Sequence, residues 1–261
     1  MTELNKPTSY ENRVVAFIDI LGFSDFVRTN KASTEGFQTI YTALKEIQDE
    51  FNNLDDEYSE EAKNYLSVDP QSITASDSII LSRRADEKGG IYYMLSACAD
   101  AIHTLIRHGF LCRGAVVLGD LFHKENLIFG PAYLQAVESE KTANYPIIKF
   151  SENLFKLANQ HPGPANSGDW EEDFIKEHCK QMADGSYYLN YFTDYDSRYG
   201  PGEGGASIHY ENLRKILEQG VANQNPGVFE KYRWAAEQYN LTADQFNLPQ
   251  IVIPLPPKPN P

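Results

Sequence analysis

The run Val14-Val15-Ala16-Phe17-Ile18-Asp19-Ile20-Leu21-Gly22-Phe23-Ser24 constrains this chain more than any other stretch. Its first residues are β-branched, aromatic or small and show no polar alternation, the pattern of a strand buried on both faces. One carboxylate, Asp19, interrupts the run near its end. Gly22 then permits a tight turn, and the Ser24 hydroxyl is placed to cap a following helix. An acid at the end of an apolar strand is costly unless something pairs with it, and a hard metal ion is one such partner. Amides at the start of the next helix would face the same spot and favour an anion. The alternative is a strand-end carboxylate that simply meets solvent.

With 261 residues there is room for one large domain, or for one domain with an extension. The formal net charge of −14 argues against a general binder of nucleic acid or of anionic membranes, since both need a basic face. It leaves open an anionic small substrate, which needs only local positive charge and metal ions. Cys98, Cys112 and Cys179 are too few and too scattered for a disulfide framework or a zinc site, and read as reduced thiols. Residues 1–10 are polar and lack the apolar core of a signal peptide, and no run is long enough to span a bilayer. A soluble, cytoplasmic protein is the expectation.

Phe37, Ile40, Tyr41, Leu44, Ile47 and Phe51 recur at helical spacing and predict an amphipathic helix packed on a sheet. Residues 52–69 are acidic and read as an exposed connection. Within 71–84, Ala75-Ser76-Asp77 suits a tight turn between two short strands, followed by apolar Ile79, Ile80 and Leu81. Asp77 is thus a second acid beside an apolar run. Two such carboxylates could share one or two divalent ions, with a plain turn residue as the alternative for Asp77.

Residues 91–106 form a second apolar helix ended by Gly109. His103 and His108 there are five apart, not the four that would pair them as zinc ligands. Residues 110–119 read as a strand carrying one cation, Arg113, and 120–129 as a short hairpin. Gly130-Pro131 opens a helix over 132–142, charged along one side by Glu138, Glu140 and Lys141. Residues 145–150 look like a further strand.

The resulting order predicts an α+β fold, a ferredoxin-like β-α-β-β-α-β sheet with helices on one face and the first strand central. Asp19 and Asp77 would then sit at neighbouring strand ends. Beyond Ser151 the pattern gives a short helix over 152–158, a loop over 161–169 and an extra strand over 187–193. Gly202-Glu203-Gly204-Gly205 lacks the Lys-Ser/Thr of a phosphate loop and reads as linker. Helices over 208–219 and 228–239 and a proline-rich tail over 248–261 complete the chain.

This order and these motifs resemble the class III nucleotide cyclases over roughly residues 12–150. The first strand of those enzymes ends in Phe-x-Asp-Ile-x-Gly-Phe, matched by Phe17 to Phe23. Their second metal carboxylate lies in the hairpin, as Asp77 does, and a later Arg-x-Gly-Ile-type strand looks like 113–119. The departures are equally informative. Ile73 and Leu127 stand where purine cyclases place polar base readers. Leu134 and Glu138 stand in place of the Asn and Arg that stabilise the transition state, and only Ala136 matches that helix motif. Loss of polar readers lowers recognition of a purine edge. The Ser-Asp-Ser hairpin, the Arg-Gly strand and the Gly-Pro-Ala-Tyr helix with its Glu-Ser-Glu-Lys continuation are similar to the pyrimidine cyclases of bacterial Pycsar anti-phage systems.

That resemblance implies a cyclase palm over 8–195 with a helical extension over 196–261. It implies cyclisation of UTP, or of CTP, to the 3′,5′-cyclic nucleotide and pyrophosphate. It further implies a homodimer with active sites at the interface and a downstream effector activated by the cyclic nucleotide. Asp19, Asp77 and the Ile20 carbonyl would hold two Mn²⁺ or Mg²⁺ ions. Phe17, Gly22, Phe23 and Ser24 would contact the nucleotide, with the amides of residues 21–24 around the triphosphate. Arg113 would serve near the phosphates or across the dimer, with a structural ion pair as the alternative, and Tyr133 and Lys141 are further candidates. Two other readings stand beside this one: a pseudo-cyclase that binds nucleotide without turnover, and a metal-dependent nucleotide phosphohydrolase.

Overall fold

A computed structural model describes residues 8–53, 58–193 and 205–257. The apolar run forms β1 (Glu11–Ile20), in which residues 13–18 and Ile20 are buried and Asp19 is partly exposed. After it come α1 (Phe23–Thr29), α2 (Thr34–Asn53), α3 (Glu60–Leu66), β2 (Gln71–Ala75), β3 (Ser78–Arg84) and α4 (Gly90–Arg107). Then follow β4 (Cys112–Lys124), β5 (Leu127–Phe129), α5 (Pro131–Lys141), β6 (Ile148–Phe150), α6 (Asn153–Gln160) and α7 (Gly168–Glu177). The described chain closes with β7 (Cys179–Gln181), β8 (Tyr187–Leu189), α8 (Gly205–Val221) and α9 (Pro226–Phe246).

The strands lie in the order β2-β3-β1-β4-β6-β8-β7, with β5 folded back on β4. The first four pair antiparallel with β1 between β3 and β4, which is the expected α+β, ferredoxin-like arrangement. β6 joins β4 in parallel, and β8 and β7 extend the sheet antiparallel.

Alternation along β1 divides its side chains between two cores. Val14, Ala16, Ile18 and Ile20 face the larger one with α2, α4 and the C-terminal helices, while Val15 and Phe17 face a smaller one with Ala132 and Ala136 of α5. Helices therefore cover both faces, not the single face expected. The Ala132/Ala136 stripe is small enough to let α5 lie close on the sheet.

Other expectations shift in detail. The acidic 52–69 connection contains α3, whose first turn is capped by the Ser59 hydroxyl accepting from the Ala62 amide and which buries Leu66. Phe37 and Tyr41 are 63% and 53% exposed and stack on each other, because the buried stripe of α2 runs through Gly36, Ala43, Ile47 and Phe51. β4 continues five residues past Gly119 into the β5 hairpin, and β6 is confined to three residues because Pro146 precedes it. α7 and β7 fill a stretch in which no element is legible. The glycine-rich 202–204 segment lies outside the described residues.

The C-terminal helices join the larger core through Leu213, Leu217, Phe229 and Tyr239, and the Trp234 ring stacks on Tyr145 at 4.4 Å. His103 is buried in α4 and meets His209 of α8 edge-on. Among the described residues no helix is long and apolar enough to cross a membrane.

Polar groups are buried on both faces of the sheet. Arg83 pairs with Glu87 at 2.6 Å, both fully covered, between the rings of Phe51 and Tyr93. On the opposite face Arg13 bonds Asp69 at 2.7 Å and the Ser82 hydroxyl at 3.1 Å, and that hydroxyl meets His123 Nδ1 at 2.8 Å.

Candidate active site

Asp19 shares a face with Phe17 by strand alternation, and its register partners are Ser78 on β3 and Arg113 on β4. Asp77 sits in the β2–β3 turn directly after Ser76, whose φ of 60° is left-handed. The turn is fastened to the end of β1, because the Ile20 amide donates to the Asp77 carbonyl at 2.9 Å. The two acids expected at neighbouring strand ends are thus brought together. Asp77 is half-buried, and among the described residues its carboxylate meets no side-chain partner.

Arg113 approaches Asp19 from the other side. Its Nε donates to Asp19 Oδ2 at 3.1 Å, its Nη1 donates to the Ala143 carbonyl at 3.3 Å, and its Nη2 lies 2.5 Å from Glu140 Oε1. That last contact is an ion pair by distance but is not aligned as a hydrogen bond, so Oε1 has no hydrogen-bond donor. Both pairings are possible because β1 and β4 run close: a Cβ on Gly114 would lie 2.3 Å from the Phe17 carbonyl oxygen.

Glu140 is the member of this cluster that sequence reasoning missed. In the sequence it falls with Glu138 and Lys141 on a charged side, yet its side chain is only 7% exposed. The signal was its spacing: it lies four residues beyond Ala136 and eight beyond Ala132, on the stripe that α5 presses onto the sheet. Glu138 and Lys141 are exposed.

Electrostatics at the cluster follow from burial. Burial raises the Asp19 carboxyl above the ordinary aspartate range, opposed by the hydrogen bond from Arg113 and reinforced by the charge of Asp77. Burial likewise raises Glu140, with Arg113 opposing and Asp19 reinforcing. Glu140 and Asp19 are also in side-chain hydrogen-bond contact, which lowers Asp19 and raises Glu140, so the proton of the pair favours Glu140.

The remaining candidates are less uniform. Gly22 has φ 76° and is itself the cap position of α1, with no side-chain cap, so Ser24 lies inside the helix and does not cap it as expected. The Leu21 amide is already bonded to the Leu111 carbonyl at 2.9 Å, which leaves Gly22, Phe23 and Ser24 as the amides of the expected cradle. The Phe23 ring packs into the larger core, and Phe17 is buried against Tyr133. Leu127 and Leu134 are exposed at the β5 and α5 end, beside a cavity of about 400 Å³ lined by Tyr10, Phe129 and Tyr133.

Among the described residues no group of three or more His, Cys, Asp or Glu is arranged to hold a metal ion. What Asp19 and Asp77 offer is a pair of carboxylates with adjacent backbone carbonyls, an all-oxygen set suited to a hard divalent ion. Mg²⁺ in particular is bound through one or two carboxylates plus substrate phosphates and keeps several waters, so a two-acid site fits it without a protein cage.

No family model matches the chain, and no curated protein does. Its structure is similar to the guanylyl cyclase domain of the RhoGC fusion protein from the aquatic fungus Blastocladiella emersonii, with 16% identity, TM-score 0.41, and 70% of this chain and 96% of that chain covered. The adenylyl cyclase CyaB from P. aeruginosa gives 13% identity, TM-score 0.43, and 70% and 96% coverage. The guanylate cyclase domain of RhGC from Catenaria anguillulae, in complex with GTP, gives 14% identity, TM-score 0.37, and 70% and 98% coverage.

Proposed function

We propose that this chain is a pyrimidine nucleotide cyclase that converts UTP, or in second place CTP, to the 3′,5′-cyclic nucleotide and pyrophosphate. The observation that carries the reading is the pair Asp19 and Asp77 on adjoining strand ends, close enough for one charge to act on the other. In the reaction the ribose 3′-oxygen forms a bond to the α-phosphorus, the bond from that phosphorus to the β-phosphate oxygen breaks, and the 3′-hydroxyl proton is released. Two Mn²⁺ or Mg²⁺ ions, when bound, supply Lewis-acid stabilisation of the phosphate charge.

Asp19, Asp77 and the Ile20 carbonyl are the groups that would hold those ions. The amides of Gly22, Phe23 and Ser24 would face the triphosphate, and Phe17 would floor the site beneath Tyr133. Arg113 would add positive charge beside the reacting phosphate. Ile73 and Leu127, apolar where purine cyclases read an edge, favour a small base held by shape. The exposed side chains of Tyr10, Leu127, Phe129 and Leu134 favour a homodimer that completes the site from the partner protomer. Residues 8–195 would form the catalytic unit and 196–261 the extension that closes its core. A cytoplasmic enzyme whose product activates a separate anti-phage effector is the role this chemistry suits.

A pseudo-cyclase remains the second reading, favoured by Leu134 and Glu138 in place of the usual Asn and Arg. The test is the leaving group. UTP incubated with the protein and Mn²⁺ should release pyrophosphate, and Asp19→Ala and Asp77→Ala should each lower that rate at least ~100-fold, the scale of a lost charge-stabilising group. Orthophosphate release would indicate a phosphohydrolase, and binding without release a pseudo-enzyme.

A further inference from the structure

Glu140 is the one carboxylate of the cluster to which no chemistry has been assigned. It is almost fully covered, its Oε1 lies 2.5 Å from Arg113 Nη2, and its carboxyl is also in side-chain hydrogen-bond contact with Asp19. A buried acid is costly unless a cation is held against it, so Glu140 and Arg113 fix each other in place. That arginine also grips Asp19, at 3.1 Å.

Charge counting shows what is at stake. Asp19 and Arg113 alone would cancel, leaving Asp77 as the only net charge to attract a cation. With Glu140 present and ionised, Arg113 is shared between two carboxylates, Asp77 lies beside them, and the added negative charge strengthens the pull on a cation. The geometry also keeps the arginine in place: Nη1 is bonded to the Ala143 carbonyl just beyond the end of α5, and Glu140 is fixed by the Ala132/Ala136 stripe. Asp19 can therefore turn away from Arg113 without the guanidinium following it.

We propose that Glu140 is a positioning residue that holds Arg113 as a shared counter-ion, so that Asp19 can exchange the arginine for a divalent cation. This rests on the reading of Asp19 and Asp77 as cation ligands. Without Glu140, Asp19 is the one carboxylate left against Arg113 among the described residues, and a cation must compete with a tighter pair.

The experiment measures Mn²⁺ affinity in the absence of nucleotide, by calorimetry or by electron paramagnetic resonance. It uses the full chain, with folding of each variant checked by thermal melting. E140Q should weaken Mn²⁺ binding by about tenfold, the usual scale for a group that supports a ligand. The double variant E140Q/R113M should bind at least as tightly as the original protein, because no arginine is left to hold Asp19. Unchanged affinity in E140Q would make the pair a mere tie between α5 and β4 and overturn the proposal. Weak binding that persists in the double variant would overturn it too, since Glu140 would then act on the cation directly. If E140Q does not fold, R113M alone carries the test: its affinity should match or exceed the original, and a fall contradicts the exchange. Absence of Mn²⁺ binding by the original protein, equal to D19N, would instead bring down the underlying reading of the site.

Discussion

A carboxylate held partly out of water beside another carboxylate is a source of strain that a substitution can relieve. Asp19 is such a group: burial, with Asp77 adding, raises it despite the bond from Arg113. An acid raised in the fold binds its proton more tightly there than in the unfolded chain, so its ionisation costs stability as pH rises through the carboxylate range. Asp19→Asn should therefore melt higher than the original protein at pH 7 without added metal, and the gap should close once the pH falls below the aspartate range. A lower melting temperature at pH 7 would show that the Arg113 bond outweighs burial.

His123 works in the opposite sense. Burial, joined by the charge of Arg13, lowers it from 6.5 to about 4. Between those values the unfolded chain takes up a proton that the folded chain does not, so stability rises with pH across the window. The loss on acidification from pH 6.5 to 4 should approach about 3 kcal/mol. Denaturant unfolding at a series of pH values should show that slope, and His123→Gln should flatten it. Of these residues only Asp19 was legible beforehand, because an acid in an apolar run stands out. His123 sits in a stretch read as a hairpin, and its burial depends on Arg13 and Ser82, far away in sequence.

At the scale of elements, β1, the β2–β3 hairpin and β4 place the site, and all were legible from apolar runs and turn residues. The face chosen by α5 was not, because it depends on two alanines whose small size matters only against the sheet. α3 and α7 were hidden by their charge, and β7 by its short length. Near the end of β3, Arg83 and Glu87 form a buried ion pair between α2 and α4. Arg83→Met removes the guanidinium from the buried Glu87 carboxylate, and should cost about 3–5 kcal/mol. Replacing both partners by apolar residues should recover much of that loss. Urea unfolding of the single and double variants measures it, and a loss under about 1 kcal/mol in the single variant would mean that water reaches the pair.

Over the whole molecule, one α+β sheet carries the site at the ends of its central strands, on the face opposite most of its helices. The ferredoxin-like order followed from periodicity alone, since helical crossovers and a central hairpin admit few other sheets. The docking of α8 and α9 on the larger core did not, because it turns on long-range contacts such as Trp234 on Tyr145. The strongly acidic chain has at its site one embedded arginine and three carboxylates, so on the proposed reading cations must bind before a triphosphate does.

The most direct test of the cyclase account incubates the purified protein with UTP, CTP, ATP and GTP separately in the presence of Mn²⁺. Products are resolved by chromatography and mass, with Asp19→Ala and Asp77→Ala alongside. Cyclic UMP, or cyclic CMP, formed by the original protein and absent from both variants is the predicted result. A cyclic purine as the main product would contradict the pyrimidine assignment, and no cyclic product from any of the four would contradict the account itself.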